Sequence, residues 1–406
     1  MGMRTKSGSN KNDKNKIVFV TEHFHPTDST TATLLTEVAE ALAATDHNLK
    51  VICNTDLGGH EEVPFAADHI VRIKAPALDK NRTASRLLMI LWSTIRLSLR
   101  TMSSLRKGDH LFSVTNPAFL LLAFALMRNV KRCNYTLLVY DVFPENTVAA
   151  GILTEGSIAY RITRRVFDWA YRQADELIVI GRDMEEVVAN KTRNEVATHF
   201  IPNWCDVDRV LPIQRDDNEI LIKLGLENKI VFSFVGNFGR VQGIPNLLAA
   251  AAEVTNEDFA LLFVGDGAMR PEVEAHIDAN RSGNVYYAGT YPATSENCFL
   301  NACDVAVVSL GGGMYGLGVP SKSYHNMAAA KPLLLIGDKR SEIGRVIAEH
   351  DIGWVVEPDD PEQLTAMFEK VCAESTFEVK GEAARRTVEA EFSMAHILEK
   401  YRTFYR

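Results

Sequence analysis

Lys322 is the side chain whose setting in this sequence most demands a partner of opposite charge. It lies in GGGMYGLGVPSKS, Gly311 to Ser323, where five glycines within eight residues give way to Pro320 and Ser321 at the head of the run SKSYHNMAAA. Glycines let the backbone approach a ligand closely. A helix start adds free N–H groups and the positive end of a dipole, so the segment is built for an anion. A lysine in a first helical turn is unfavourable unless an anion neutralises it. The plainer alternative is a loose glycine loop with a solvated lysine.

Three further loops follow apolar, strand-like runs. GNFGRVQG brings Gly236, Asn237, Arg240 and Gln242 together, and the planar cation of Arg240 suits a phosphate. GDGAMR, from Gly265, has two glycines and a carboxylate but lacks the third glycine of a dinucleotide fingerprint. YDVFPEN sets Asp141 and Glu145 at a strand mouth, where a carboxylate is costly to desolvate unless a hydroxyl or a cation meets it. Helix capping is the competing explanation for these two acids.

Such loops act together only if the elements beneath them align, and in an open parallel sheet the loops at the carboxyl ends of the strands face the ligand. Strand-length apolar runs alternate with helical patterns almost throughout, which predicts an α/β fold of two doubly wound units. The first half gives strands at Lys16 to Thr21, Leu49 to Cys53, His69 to Lys74, Leu111 to Val114, Tyr135 to Asp141, Glu176 to Ile180 and His199 to Ile201. The second gives Lys229 to Val235, Phe259 to Val264, Asn284 to Tyr287, Val305 to Ser309, Pro332 to Ile336 and Gly353 to Val356. Between them PNWCDVDRVLP, bounded by Pro202 and Pro212, lacks either period and reads as a linker.

A length of 406 residues agrees with two large domains. A net charge of -8 argues against nucleic acid as a partner of the whole chain. The six cysteines form neither a Cys-x-x-Cys pair nor a Cys/His cluster, so no zinc site or disulfide framework is expected, and a reducing cytosol fits. Residues 1–15 are polar and read as a disordered lead rather than a signal peptide. No apolar run reaches the ~20 residues that cross a bilayer. Residues 79–107 carry seven Lys or Arg against one acid. Arg96, Arg100 and Arg106 there suit an amphipathic helix on an anionic membrane surface, with Leu87 and Trp92 dipping into the interface. A core-packed helix with a solvated basic face is the competing reading.

At this point the sequence resembles the GT-B glycosyltransferases, specifically family 4 and its branch for polysaccharide and lipid-linked oligosaccharide assembly. VTEHFHP, YDVFPENTVAAGIL, VIGRDM, IPNWCDVDRVLP, FVGNFGRVQGIPNLLAAA, FVGDGAMRPEVE, VYYAGTYP and VPSKSYHNMAAAKPLL occur in the family's order. The resemblance implies a nucleotide-sugar-binding domain over 213–391, an acceptor-binding domain over 16–202, a linker over 203–212 and a closing helix over 392–406 that packs back on the first domain. It implies retaining, metal-independent transfer with no cofactor, the nucleotide sugar being a substrate, and a lipid-linked or glycan acceptor in surface polysaccharide synthesis. The basic segment over 79–107 adds the expectation of a cytoplasmic protein docked peripherally on the inner membrane face.

Carried onto this chain, the family pattern gives Lys322 and Arg240 the stabilisation of the leaving diphosphate. Donor contacts fall to Gly236, Asn237, Gln242, Gly265, Gly289, Gly318, Ser321 and His325, and hydroxyls of acceptor or sugar to Asp141 and Glu145. Leu317 and His325 stand where many members carry glutamates. A catalytically silent binding or partner subunit is the alternative that this departure favours. A nicotinamide oxidoreductase would need a Gly-x-Gly-x-x-Gly turn that neither half supplies.

Overall fold

The computed structural model describes residues 16–27, 29–45, 47–55, 69–74, 83–279, 283–374 and 377–406. The expected lead over 1–15 and the first residues of the basic segment, 79–82, lie outside them. Among the described residues thirteen strands form two sheets. The first holds β1 (Ile17–Thr21), β2 (Leu49–Thr55), β3 (His69–Lys74), β4 (His110–Val114), β5 (Asn134–Val139), β6 (Glu176–Val179) and β7 (Ala197–Phe200). Their spatial order is β3-β2-β1-β4-β5-β6-β7.

The second sheet holds β8 (Ile230–Asn237), β9 (Phe259–Asp266), β10 (Val285–Gly289), β11 (Val305–Ser309), β12 (Leu333–Ile336) and β13 (Gly353–Val356), in the order β10-β9-β8-β11-β12-β13. Its strands pair in parallel. In both sheets the order reverses beside the first strand, the doubly wound pattern.

Alternation along the strands explains why both faces of the second sheet are covered. Ala260, Leu262 and Val264 of β9 enter one apolar core, with Leu333 and Leu335 of β12. Phe259, Leu261 and Phe263, with Leu334 and Ile336, enter the other. Apolar residues at every position therefore have a partner, as a sheet layered between helices requires. On the second face Phe232, Phe259 and Phe368 meet with ring centroids 4.8 to 5.3 Å apart.

The chain divides into two compact units, one of Met1–Leu138, Ala170–Leu177 and Tyr401–Arg406, the other of Val139–Trp169 and Ile178–Lys400. In the first, Tyr405 is buried with its ring 6.1 to 6.3 Å from those of His47, His110 and Phe112, and His47 Nε2 lies 2.8 Å from its carbonyl oxygen. The aromatic residues at the end of the sequence are thus used for packing. Helix Thr83–Ser104, the basic segment, also belongs to this unit. Among the described residues no helix is long and apolar enough to cross a membrane.

Candidate active site

Strand order reverses between β8 and β11, and ligands of doubly wound sheets bind in the crevice beyond the carboxyl ends of such strands. Both glycine loops singled out in the sequence start there. They touch: Gly311 N donates to Val241 O at 2.6 Å, and a Cβ on Gly243 would lie 4.0 Å from Gly311 Cα. Gly236, Asn237, Arg240, Gln242 and the Gly311–Ser323 loop are therefore brought to one place. Arg240 is exposed, free to reach toward a ligand, whereas Gln242 is half-buried with its Oε1 lacking a hydrogen-bond partner.

Gly236 and Gly265 face each other across β8 and β9 at φ +144° and +138°. A Cβ on Gly265 would overlap the carbonyl of Gly236. Two backbones can come this close only without side chains. Gly265→Ala is expected to cost about 2–4 kcal/mol from the clash and the strained φ together, read as a fall in thermal midpoint of several degrees. An unchanged midpoint would mean that the pairing relaxes freely. Gly289, at the end of β10 with φ +86°, has open space where a side chain would stand. Beside it Tyr287 donates to Gly265 O at 2.9 Å and Arg270 lies over the Tyr287 ring.

The long glycine loop is pinned on its other side by the chain after β5. Val142 N donates to Leu317 O at 3.0 Å, and a Cβ on Gly318 would lie 3.2 Å from Tyr140 O and 3.6 Å from Asp141 Oδ1. Buried Asp183 accepts from Gly316 N at 3.1 Å, and burial pushes its carboxyl up to about 6. Asp141 is pushed to about 6 as well, by burial. The structure thus brings Asp141 to the glycine loop. It gives Glu145 other partners: both oxygens take Lys191 Nζ at 2.8 Å, with Asp168 on the same ammonium at 2.7 Å. A lysine side chain only 1% exposed needs such carboxylates, which accounts for Glu145 without a substrate hydroxyl.

Lys322 opens helix Lys322–Ala328, with Ser321 at its N-cap and Pro320 one residue further out rather than in the first turn. Its ammonium reaches Glu296 Oε1 at 2.9 Å, and His325 Nδ1 reaches the same oxygen at 2.9 Å. Arg209 bonds the other oxygen of Glu296. The counter-charge that a first-turn lysine requires is therefore supplied by the protein. Burial works to raise the Glu296 carboxyl, but the His325 hydrogen bond and the Lys322 charge outweigh it and hold the group well below the usual carboxylate range. Burial pushes the His325 imidazole down, so at neutral pH it is uncharged and its Nδ1–H donates to Glu296. Two cations then converge on one carboxylate.

Glu296 and Arg209 had no signal in the sequence. Arg209 falls inside the segment read as a linker, and Glu296 in an ordinary helix start. Leu317, where the family often has a glutamate, is a buried apolar contact at 5% exposure. Among the described residues no group of three or more His, Cys, Asp or Glu could hold a metal ion.

Two doubly wound parallel sheets, with glycine loops at the switch point of the second, form the GT-B architecture. Residues 29–204 match the family model described as "Glycosyl transferase 4-like domain", and residues 229–374 match "Glycosyl transferases group 1". The chain is 42% identical over 328 residues to "Probable glycosyltransferase WbjE" of Pseudomonas aeruginosa, covering 81% of this chain and 82% of that one. The crystal structure of Anabaena Alr3699/HepE in complex with UDP is similar with a TM-score of 0.69 at 15% identity, over 96% of this chain and 99% of that one. That of WaaG, a glycosyltransferase involved in lipopolysaccharide biosynthesis, gives 0.67 at 16%, over 96% and 99%. The chain belongs to the family-4 group of GT-B glycosyltransferases.

Proposed function

We propose that this glycosyltransferase moves a sugar from a nucleotide-sugar donor to a lipid-linked glycan acceptor, with retention of configuration and without a metal, in surface polysaccharide synthesis on the cytoplasmic face of the inner membrane. The observation that carries the reading is the convergence of Lys322 and Arg209 on Glu296 at the helix start that ends a glycine loop whose other end, at Gly311, is bonded to the Arg240 loop through Val241. Breaking the sugar C1–O bond leaves the electron pair on the diphosphate, the acceptor hydroxyl oxygen forms the new bond to C1, and its proton passes to the departing diphosphate oxygen. Fixed cations and N–H groups stabilise that leaving group more strongly as its charge grows. Support for the biosynthetic setting comes from the relatives, one of which acts in lipopolysaccharide synthesis.

A silent partner subunit is the second reading, favoured by Leu317 and His325 in place of carboxylates. Against it, Glu296 sets a carboxylate beside His325 in space. Thermal shift with a panel of UDP-, GDP-, CMP- and dTDP-sugars, followed by assay of released nucleoside diphosphate, separates the two. A cognate donor at 100 times its Kd is expected to add about 2.7 kcal/mol of stability. Stabilisation by none of the panel would favour the silent subunit.

A further inference from the structure

Helix Thr83–Ser104 is packed inside out. Leu88, Leu91, Ile95, Leu99 and Met102 are 59%, 40%, 57%, 64% and 38% exposed. They recur at three- and four-residue steps, within an arc of about 80° on the helix. The opposite face holds Ser93, Leu97, Thr101 and Ser104, all buried, with Ser93 Oγ accepting from Asn54 Nδ2 of β2 at 2.7 Å. Apart from Leu97, the side chains that face the protein there are small and hydroxylated, while a row of large apolar ones faces outward. An amphipathic helix that served only to cover its own sheet would be turned the other way.

The neighbouring helix Ala118–Lys131, which packs against it, buries an ordinary apolar face of Leu120, Leu121, Phe124 and Met127 but adds to the outward row: Phe119, Leu126 and Val130 are 39%, 59% and 68% exposed. The two helices contain no Asp or Glu. Arg96 and Arg100 flank the apolar row and are exposed, as are Arg106 and Lys107 just beyond it. Trp92 is only partly exposed, with the Arg96 guanidinium over its ring, so it borders the row rather than leading it. The side chain of Leu87, the other residue expected to dip, lies outside those described. Cations crowd here: burial pushes the Lys50 ammonium down, and the charges of Lys16 and Arg100 push it further.

We propose that this face seats the protein in the headgroup layer of an anionic bilayer, the row from Leu88 to Met102 entering the acyl boundary and Arg96 and Arg100 lying among the lipid phosphates. A contiguous apolar row rimmed by a single sign of charge is the pattern of interfacial helices. Each engaged arginine multiplies partition by roughly fivefold, the equivalent of about 1 kcal/mol. A second copy of the chain fits poorly, because neither helix offers a carboxylate to meet the partner's arginines. The proposal deepens the lipid-linked acceptor of the reading above and rests on it for its purpose, but its test needs no catalysis.

The test is flotation of the full chain with vesicles of phosphatidylcholine alone or with 30% phosphatidylglycerol (about one lipid in three anionic, within the range where surface charge attracts basic segments). The protein is expected to float with the anionic vesicles, and less so in high salt. Ile95→Glu with Leu99→Glu should lower that fraction at least tenfold. Arg96→Glu with Arg100→Glu should do the same, while Ile95→Leu with Leu99→Ile keeps it. All changed side chains are exposed, so circular dichroism and the donor-induced thermal shift should match the parent, which separates a failure of docking from a failure of the transferase reading. Flotation that ignores lipid charge, or none at all, or an unchanged glutamate variant, overturns the proposal. So does a concentration-dependent dimer that the glutamate variant dissolves, because a second copy would then cover the face.

Discussion

Lys322→Ala is expected to lower kcat by ~10²-fold or more, with a much smaller change in donor KM. Removing one preorganised group from the stabilisation of a developing charge has effects of about that size. The split between kcat and KM matters because a lysine that bound the diphosphate equally in ground and transition states would change KM alone. Glu296→Gln provides the contrast. It removes the negative partner of Lys322 and Arg209 while leaving both cations in place. The anionic donor should then bind more tightly, yet kcat should fall, because the ammonium is no longer held 2.9 Å from a fixed oxygen. Initial rates at saturating donor check both variants. A Lys322→Ala enzyme that turns over at the parent rate would remove this residue from the mechanism.

The strands were readable because the second sheet is buried on both faces. Continuous apolar runs such as FALLFV are expensive anywhere else, and each is bracketed by polar or glycine residues. Where that condition weakens, boundaries shift. β7, ATHF, is only partly buried, and it starts two residues before the expected His199. β8 and β9 each run two residues past the apolar pattern, through Gly236 and Asn237 and through Gly265 and Asp266, because backbone pairing continues where side chains no longer report it.

The glycine loops were legible for a local reason: their chemistry is written in consecutive residues. The Glu296 cluster was not, since its members are 26, 29 and 87 residues apart and meet only through the winding of the sheet. Glu145 shows the other side of locality. An acid at a strand mouth reads as available, and nothing nearby in sequence announces the buried lysine 46 residues on that takes it. For helix Thr83–Ser104, composition gave its charge but not its orientation. Periodicity identifies an apolar face, yet only the packing of Ser93, Leu97 and Thr101 against the protein shows that the face points outward.

Asp141→Asn is expected to stabilise the protein above pH 6 while weakening catalysis, a pairing that a merely structural carboxylate would not give. Burial raises this carboxyl from 3.8 to about 6. Its folded pKa lies above its unfolded one, so the unfolded state gives up the proton first as pH rises through that interval. Stability is therefore undiminished below about pH 4 and lost progressively up to about pH 6, where the carboxylate is ionised in both states. The full shift would correspond to about 3 kcal/mol. Asp141 is half-buried, and solvent at its open edge reduces the figure, so a gain of about 1–2 kcal/mol is expected from the neutral amide at pH 8 and none at pH 4. On the catalytic side, the carboxylate sits against Gly318 on a loop held by the Val142 to Leu317 hydrogen bond. Losing a charged acceptor for a substrate hydroxyl there should lower kcat/KM by about 10- to 100-fold. Thermal midpoints of parent and variant across pH 4 to 8, beside kcat/KM at pH 8, test both halves. Parallel midpoint curves would mean that Asp141 is well solvated, and an unchanged kcat/KM would detach it from the substrate.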